Sequence, residues 1–447
     1  MRAPGLLPYY DNSLEIPGSE WYQIGYPSFP DAFRPVLSYW KHLRITEDTM
    51  VTARSIKPEE LDRAGEIGAE AFEMDLEPWV TAFHRHAKRF SCEHIPVVEH
   101  EGRLVAAMMI TPEDLQMGDV TVPGGAVGGV GTAVAARRIG CAAAMMTETV
   151  RRMVGWGITG SAMWPFSYAY YRKFGWETGG EVRISTWPRD IQWLIEPDGD
   201  VSVLTPADAP DVSSVWDALT PGFRCSTARA WDVWESLVGP ERFGSGQANK
   251  TGFVCRRGGK PVGYAMYEIP EPKDGEKPAF LEINEIRALD GAAAVAIIRA
   301  VMERTDFGKY RAAFSVNDRV RSLAVNARAI ETELHASFGF RIIHPDAIFP
   351  LMKCACRTEP VTIRIHDELV GTRTWKTALD GSPAEIVTSE PDVDCDIRAF
   401  TPIASGFVTP SAAASLGWLQ GDASAVARLQ EATSRWSAPF RSGLEEG

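Results

Sequence analysis

Two clusters in this sequence carry side chains suited to chemistry. The first is the turn Arg137-Arg138-Ile139-Gly140-Cys141-Ala142. It follows a run with almost no side-chain bulk, Val127-Gly128-Gly129-Val130-Gly131-Thr132-Ala133-Val134, and precedes a stretch without breakers, Ala143 to Val154. A strand, a basic turn and a helix opening on Gly or Ala can hold an anion. The first-turn amides have no partner inside the helix, and the helix dipole favours negative charge. Small residues there let a diphosphate approach the backbone. The second cluster is Tyr170-Tyr171-Arg172-Lys173-Phe174-Gly175-Trp176, where a phenol can serve as a proton donor.

Holding both clusters together requires a sheet. Val51 to Ile56 reads as its first strand, and Lys57-Pro58-Glu59-Glu60 as a helix start, with Leu61, Ala64, Ile67, Ala71 and Phe72 continuing at helical spacing. Phe72-Glu73-Met74-Asp75 closes that helix; Glu73 or Asp75 can meet an acceptor ammonium, or belong simply to the surface. Ile95–Glu99 and Leu104–Ile110 form a hairpin about His100-Glu101-Gly102-Arg103. Ile158 to Trp164 supplies the strand beside the small-residue run. Trp164, Phe166 and Tyr168 then line the acceptor side or fill the core. His84, His86, Cys92 and His94 lie near one another in sequence, but their spacing matches no zinc signature, and no metal is assigned.

A second unit restarts at Val201-Ser202-Val203-Leu204-Thr205-Pro206 with the same strand and Pro-Asp helix start. A hairpin, a strand and the Ala-rich helix Ala292 to Met302 follow, so the chain repeats a structural unit. Its turn, Arg287-Ala288-Leu289-Asp290-Gly291, places an acid where a phosphate would sit. The last hundred or so residues change to short alternating strands and two helices, Ser411–Leu419 and Ser424–Trp436. The expected division is an aromatic-rich extension at 1–48, a first α/β unit at 49–190, a second at 200–350 and an α+β unit with a tail at 351–447.

With 447 residues the chain suits two to three domains of about 100–200 residues. A net charge of −13 argues against nucleic acid and suits a cationic small-molecule acceptor, or solubility alone. No apolar run approaches the roughly 20 residues of a membrane span, and Met1 to Gly18 has no secretory pattern. The 7 cysteines show no repeated C-x-x-C, as expected of free thiols in the cytoplasm, and Cys354-Ala355-Cys356 reads as strand.

Arg137-x-x-Gly140-x-Ala142 resembles the pyrophosphate-gripping turn of the GNAT acyltransferases, and Tyr171-x-x-Phe174-Gly175-Trp176 resembles the signature that closes their core. With a degenerate second copy and the terminal Ala438-Pro439-Phe440, the whole resembles the enhanced-intracellular-survival (Eis) acetyltransferases. That resemblance implies tandem GNAT folds, the second degenerate, followed by a sterol-carrier-protein-like domain. It implies N-acetyl transfer from acetyl-CoA to amines of an acceptor such as an aminoglycoside or amino sugar, in a hexamer. It makes Tyr171 the general acid and gives the pyrophosphate to Arg137, Arg138, Gly140, Cys141 and Ala142, and pantetheine to the backbone of Val130 and Thr132. The family's C-terminal carboxylate corresponds to that of Gly447, although seven residues follow Phe440 here. Asp75, Trp164 and Phe166 are the acceptor-side candidates. The alternatives are a longer acyl chain or a hydroxyl acceptor, and a non-enzymatic ligand-binding module.

Overall fold

A computed structural model describes residues 51–239, 250–270 and 278–445; the aromatic extension and Gly447 lie outside the described residues. The first unit comprises β1 (Ala53–Ser55), α1 (Leu61–Phe72), α2 (Leu76–Phe90), β2 (Pro96–His100), β3 (Arg103–Met117), β4 (Thr121–Thr132), α3 (Cys141–Gly155), β5 (Gly160–Met163), α4 (Tyr168–Tyr171), β6 (Glu177–Thr178) and β7 (Glu181–Pro188). The second comprises β8 (Asp200–Val203), α5 (Ala209–Leu219), β9 (Arg224–Ala228), α6 (Trp231–Val238), β10 (Lys250–Arg257), β11 (Lys260–Glu268), β12 (Leu281–Ile283), β13 (Glu285–Ala288), α7 (Gly291–Arg304), β14 (Lys309–Ser315), β15 (Glu331–Ala336) and β16 (Gly339–Ile342).

Local chemistry sets these elements. Before α1, the Glu60 carboxylate accepts the Lys57 amide at 2.9 Å, and Pro58 opens the turn. The helix buries Leu61, Ala64 and Ile67 and ends at Glu73, which takes a left-handed φ of 54°. Helix α2 packs tightly on it: a Cβ on Gly68 would stand 2.5 Å from the Trp79 ring. Strands β3 and β4 form a long antiparallel hairpin, and β4 then runs parallel to β5 from Gly124↔Gly160 to Val127↔Met163.

The two units exchange strands. The order of the first sheet is β1-β2-β3-β4-β5-β16-β6, so β16 of the second unit fills a place between β5 and β6. In return, β7 lies between β14 and β15 of the second unit. Strand β9 also extends β3, pairing Asp114–Met117 with Arg224–Ala228.

The last unit carries β17 (Val361–His366), β18 (Arg373–Thr377), β19 (Glu385–Val387), β20 (Val393–Asp396), α8 (Ile397–Ser405), α9 (Pro410–Ser415), β21 (Leu419–Gly421) and α10 (Ala423–Thr433). Its core joins Ile363, Phe400, Ile403 and Leu429 to Phe338 and Phe340 beside the first sheet. A buried ion pair, Arg341 to Asp367 at 2.7 Å, ties β16 to this unit. Three expectations fail here. The helix over Ser411–Leu419 stops at Ser415, because Gly417 takes φ 72° and the Trp418 amide turns back to the Ala413 carbonyl; the following helix likewise ends at Thr433. Cys354-Ala355-Cys356 is not a strand: the Lys353 amide meets Ala432 and the Cys354 amide meets Leu379, so no ladder forms. Among the described residues no helix is long and apolar enough to cross a membrane.

Candidate active site

The β4–β5 pairing stops at Val127↔Met163, and from Gly128 onward β4 keeps only its β3 neighbour. The register there shifts, with Met109 opposite Gly128 and Ala107 opposite Gly131. Three steps on β4 thus match two on β3, a bulge that turns peptide groups out of the ladder. Gly129 sits in it with φ 60°, and a Cβ there would lie 3.0 Å from Met109 Cε and 3.2 Å from the Trp79 ring. Val130 and Thr132, expected to face pantetheine through their backbone, lie on this free edge. An extended amide-bearing chain could pair with it as an added strand would.

Beyond β4 the chain makes a short turn over Val134–Ala136, where Glu70 accepts the Val134 amide at 2.9 Å. Arg138 then takes φ 72° and Gly140 φ 94°, both left-handed. Such a reversal turns successive amides to one side and forms an anion-binding concavity. Gly140 is the N-cap of α3 and no side chain caps the helix, so the amides of Cys141 and Ala142 stay available. Arg137 and Arg138 are exposed at the rim. Cys141 itself is buried, and burial pushes its thiol up, so its backbone is what faces an anion. The turn fits a diphosphate.

Across the splay, Ser167 caps α4 by accepting the Tyr170 amide at 3.3 Å. Tyr171 is 3% exposed, and its ring lies 5.4 Å from Phe166 and 5.2 Å from Tyr170. Burial, with Tyr170 beside it, pushes the Tyr171 phenol well above the usual phenol range. Burial and nearby Cys141 push Tyr170 up to about 12. Both phenols therefore stay protonated at neutral pH and can give a proton rather than take one. Gly175 ends the motif at φ 88°, and a Cβ there would collide with the Arg341 guanidinium at 1.6 Å.

The expected acceptor residues divide. Phe166 is 78% exposed at the mouth, while Trp164 is half-buried against the core shared with the last unit. Asp75 is exposed at the N-cap of α2. Sequence reasoning missed Trp79, which stacks on Phe72 at 4.8 Å and covers the bulge at Gly129. An aromatic one turn into the helix after Glu73–Asp75 was the available signal. It also missed Glu113, which Arg441 holds with two hydrogen bonds of 3.0 and 2.8 Å.

The corresponding place in the second unit is closed. The Asp290 carboxylate caps α7 by accepting the Ala293 amide at 3.0 Å and pairs with Arg257 at 2.8 Å. Glu285 stands just beyond the β12–β14 pairing, fully buried, and binds Arg229 through both oxygens at 2.9 and 2.7 Å and Tyr264 at 2.7 Å. The Arg229 guanidinium lies 3.7 Å from the Trp216 ring and 4.9 Å from that of Trp234. Leu444 of the C-terminal tail packs on the same cluster. Among the described residues no group of three metal-binding side chains gathers.

Comparison with known proteins agrees with this order of domains. Residues 52–179 and 225–342 each match a model of the acetyltransferase (GNAT) domain, and residues 349–442 match the sterol carrier protein domain. Solved structures share the fold across nearly their whole length. A GCN5-related N-acetyltransferase from Anabaena variabilis superimposes with TM-score 0.74 at 18% identity, covering 88% of this chain and 99% of that one. One from Kribbella flavida gives 0.73 at 19%, covering 89% and 98%. Eis1 from Mycobacterium abscessus gives 0.70 at 16%, covering 88% and 99%. No curated protein matches the sequence.

Proposed function

We propose that this Eis-like GNAT acetyltransferase works through its first GNAT domain alone, moving an acetyl group from acetyl-CoA to a primary amine of a small cationic acceptor such as an aminoglycoside. The reading is carried by one observation: an uncapped helix start with left-handed Arg138 and Gly140 lies in the same unit as a buried, protonated phenol. Arg137, Arg138 and the amides of Gly140, Cys141 and Ala142 hold the pyrophosphate. The free edge at Val130 and Thr132 holds the pantetheine arm. When bound, acetyl-CoA supplies an activated acyl group and a thiolate leaving group.

The chain's residues do the rest. Holding the two reactants together supplies most of the rate. Peptide groups at the Gly129 bulge polarise the thioester carbonyl. Tyr171 donates the proton that the departing sulfur needs; its phenol stays protonated until that moment. Trp79 and Phe166 flank the amine, and Asp75 attracts its charge from outside. A carboxylate, through water, takes the ammonium proton; Glu445 and the terminal carboxylate of Gly447 are the groups put forward for this. Deleting Glu445 to Gly447 then lowers activity while the thermal midpoint holds.

The test is calorimetry with acetyl-CoA, followed by mass analysis of aminoglycosides, polyamines and amino sugars incubated with a panel of acyl-CoAs. One acetyl-CoA site per chain and acetylated amines support the proposal. Modification only by longer acyl groups, or at hydroxyls, would move the assignment within the fold. Absence of binding would leave a ligand-binding module. The cysteine usage carries the proposal of a cytoplasmic location, and the resemblance to the Eis acetyltransferases that of a hexamer, the latter checked by sedimentation.

A further inference from the structure

We infer that the segment Pro439–Ser442 is a strap that sets the acceptor side of the first domain's site, and that Arg441 is its positioning residue. The inference rests on the reading of that domain as the transfer site. The strap is held mainly from the second unit. The Arg224 carbonyl of β9 accepts the Phe440 amide at 2.9 Å. Phe440 is buried against Val182 and Ile184 of β7, and the Ser442 hydroxyl donates to the buried Glu285 carboxylate. Neighbouring side chains of an extended segment point to opposite sides. Arg441 accordingly turns the other way, into the first domain.

There it is almost wholly buried. Its two terminal nitrogens donate to both oxygens of Glu113 on β3, one of them also to the Cys225 carbonyl at 3.3 Å, and the Thr227 hydroxyl donates to the same Glu113 at 2.9 Å. The guanidinium lies 5.4 Å from the centre of the Trp164 ring. Trp164 leads through Pro165 to exposed Phe166, whose ring meets Tyr170 at 5.8 Å and Tyr171 at 5.4 Å. A line therefore runs from the strap to the phenol, through ring contacts at each end and the backbone between Trp164 and Phe166. A buried ion pair is a poor way to gain stability, because desolvation offsets its attraction, but a two-pronged pair fixes direction. An apolar side chain would anchor the tail equally well. It would not hold Trp164 and the segment after it in one position.

The test uses the full chain with Arg441→Met, Arg441→Lys and the double variant Glu113→Gln/Arg441→Met, which leaves no unpaired buried charge if the single variant folds badly. Hydrogen exchange is followed by mass spectrometry. The expected result is exchange at least fivefold faster over residues 164–171 in the Met variants, unchanged over 137–145, with partial restoration by Lys. With kanamycin as probe acceptor, KM rises at least tenfold while acetyl-CoA Kd stays within twofold. A merely structural role would loosen both segments together. Unchanged exchange over 164–171 in a folded Met variant overturns the inference. Failure of the wild-type chain to bind acetyl-CoA would instead strike the proposed function, leaving the exchange result to decide the strap.

Discussion

The two GNAT units meet the same structural problem, how to start a helix after the fourth strand, and solve it in opposite ways. In the second, Asp290 supplies its own carboxylate to the first-turn amides and Arg257 neutralises it. In the first, Gly140 supplies no side chain, and the turn is bent so that its amides face outward beside Arg137 and Arg138. A helix start has a positive end to satisfy in either case. Where the chain satisfies it internally, an outside anion finds no vacancy. The difference extends to the acceptor face. The first unit keeps glycines opposite Trp79 and Met109, whereas the second fills the equivalent strand position with Glu285, paired to Arg229 between two tryptophans.

The largest test of this contrast converts one turn into the other. Gly140→Asp, a residue that tolerates left-handed backbone, should raise the acetyl-CoA Kd about 30-fold, or ~2 kcal/mol, by calorimetry. Next, Tyr171→Phe should lower kcat about tenfold or more, ~1.4 kcal/mol in the barrier, with acetyl-CoA affinity unchanged. Unaltered turnover would take the phenol out of the chemistry. In the second unit, Asp290→Ala should cost about 1 kcal/mol of stability through the lost cap, read by denaturant midpoint, without adding a second acetyl-CoA site. A stoichiometry of two would show that the acid alone had closed it.

The smallest effect is in acid. The Arg257 hydrogen bond, the Ala293 amide and the Arg257 charge bring Asp290 down to about 2 from an ordinary 3.8. A carboxyl lowered on folding stabilises the fold fully above its unfolded value and loses that contribution as pH falls through the folded one. Asp290→Asn keeps the cap and loses the charge. Its thermal midpoint should therefore lie below wild type near pH 6 and converge with it near pH 2. Glu285 behaves likewise in both proteins: burial pushes its carboxyl up, but Arg229 against it brings it down to about 2, so the comparison isolates Asp290.

Much of this was legible in the residues. The small-residue strand, the basic turn and the Tyr-x-x-Phe-Gly run are local patterns, and each fixes its own backbone. The acid at Asp290 was legible for the same reason. The exchange of β7 and β16 was not. Glu181–Pro188 and Gly339–Ile342 carry a strand's alternation whichever sheet receives them, and the choice is made by packing such as Arg341 against Asp367. The contact of Glu113 with Arg441 left no signal either, because the two residues are 328 positions apart and meet only through the folded tail. Trp164 stayed open between acceptor side and core, since an aromatic after a strand end looks the same facing a cleft or a core.

The reciprocal strand placement also bears on why a copy with a closed helix start persists. Neither half can be excised and remain whole, because each would lack a rung that its sibling donates. A closed helix start in the second unit therefore does not make that unit dispensable. It became a structural hostage of the first, free to change its cleft but not to leave.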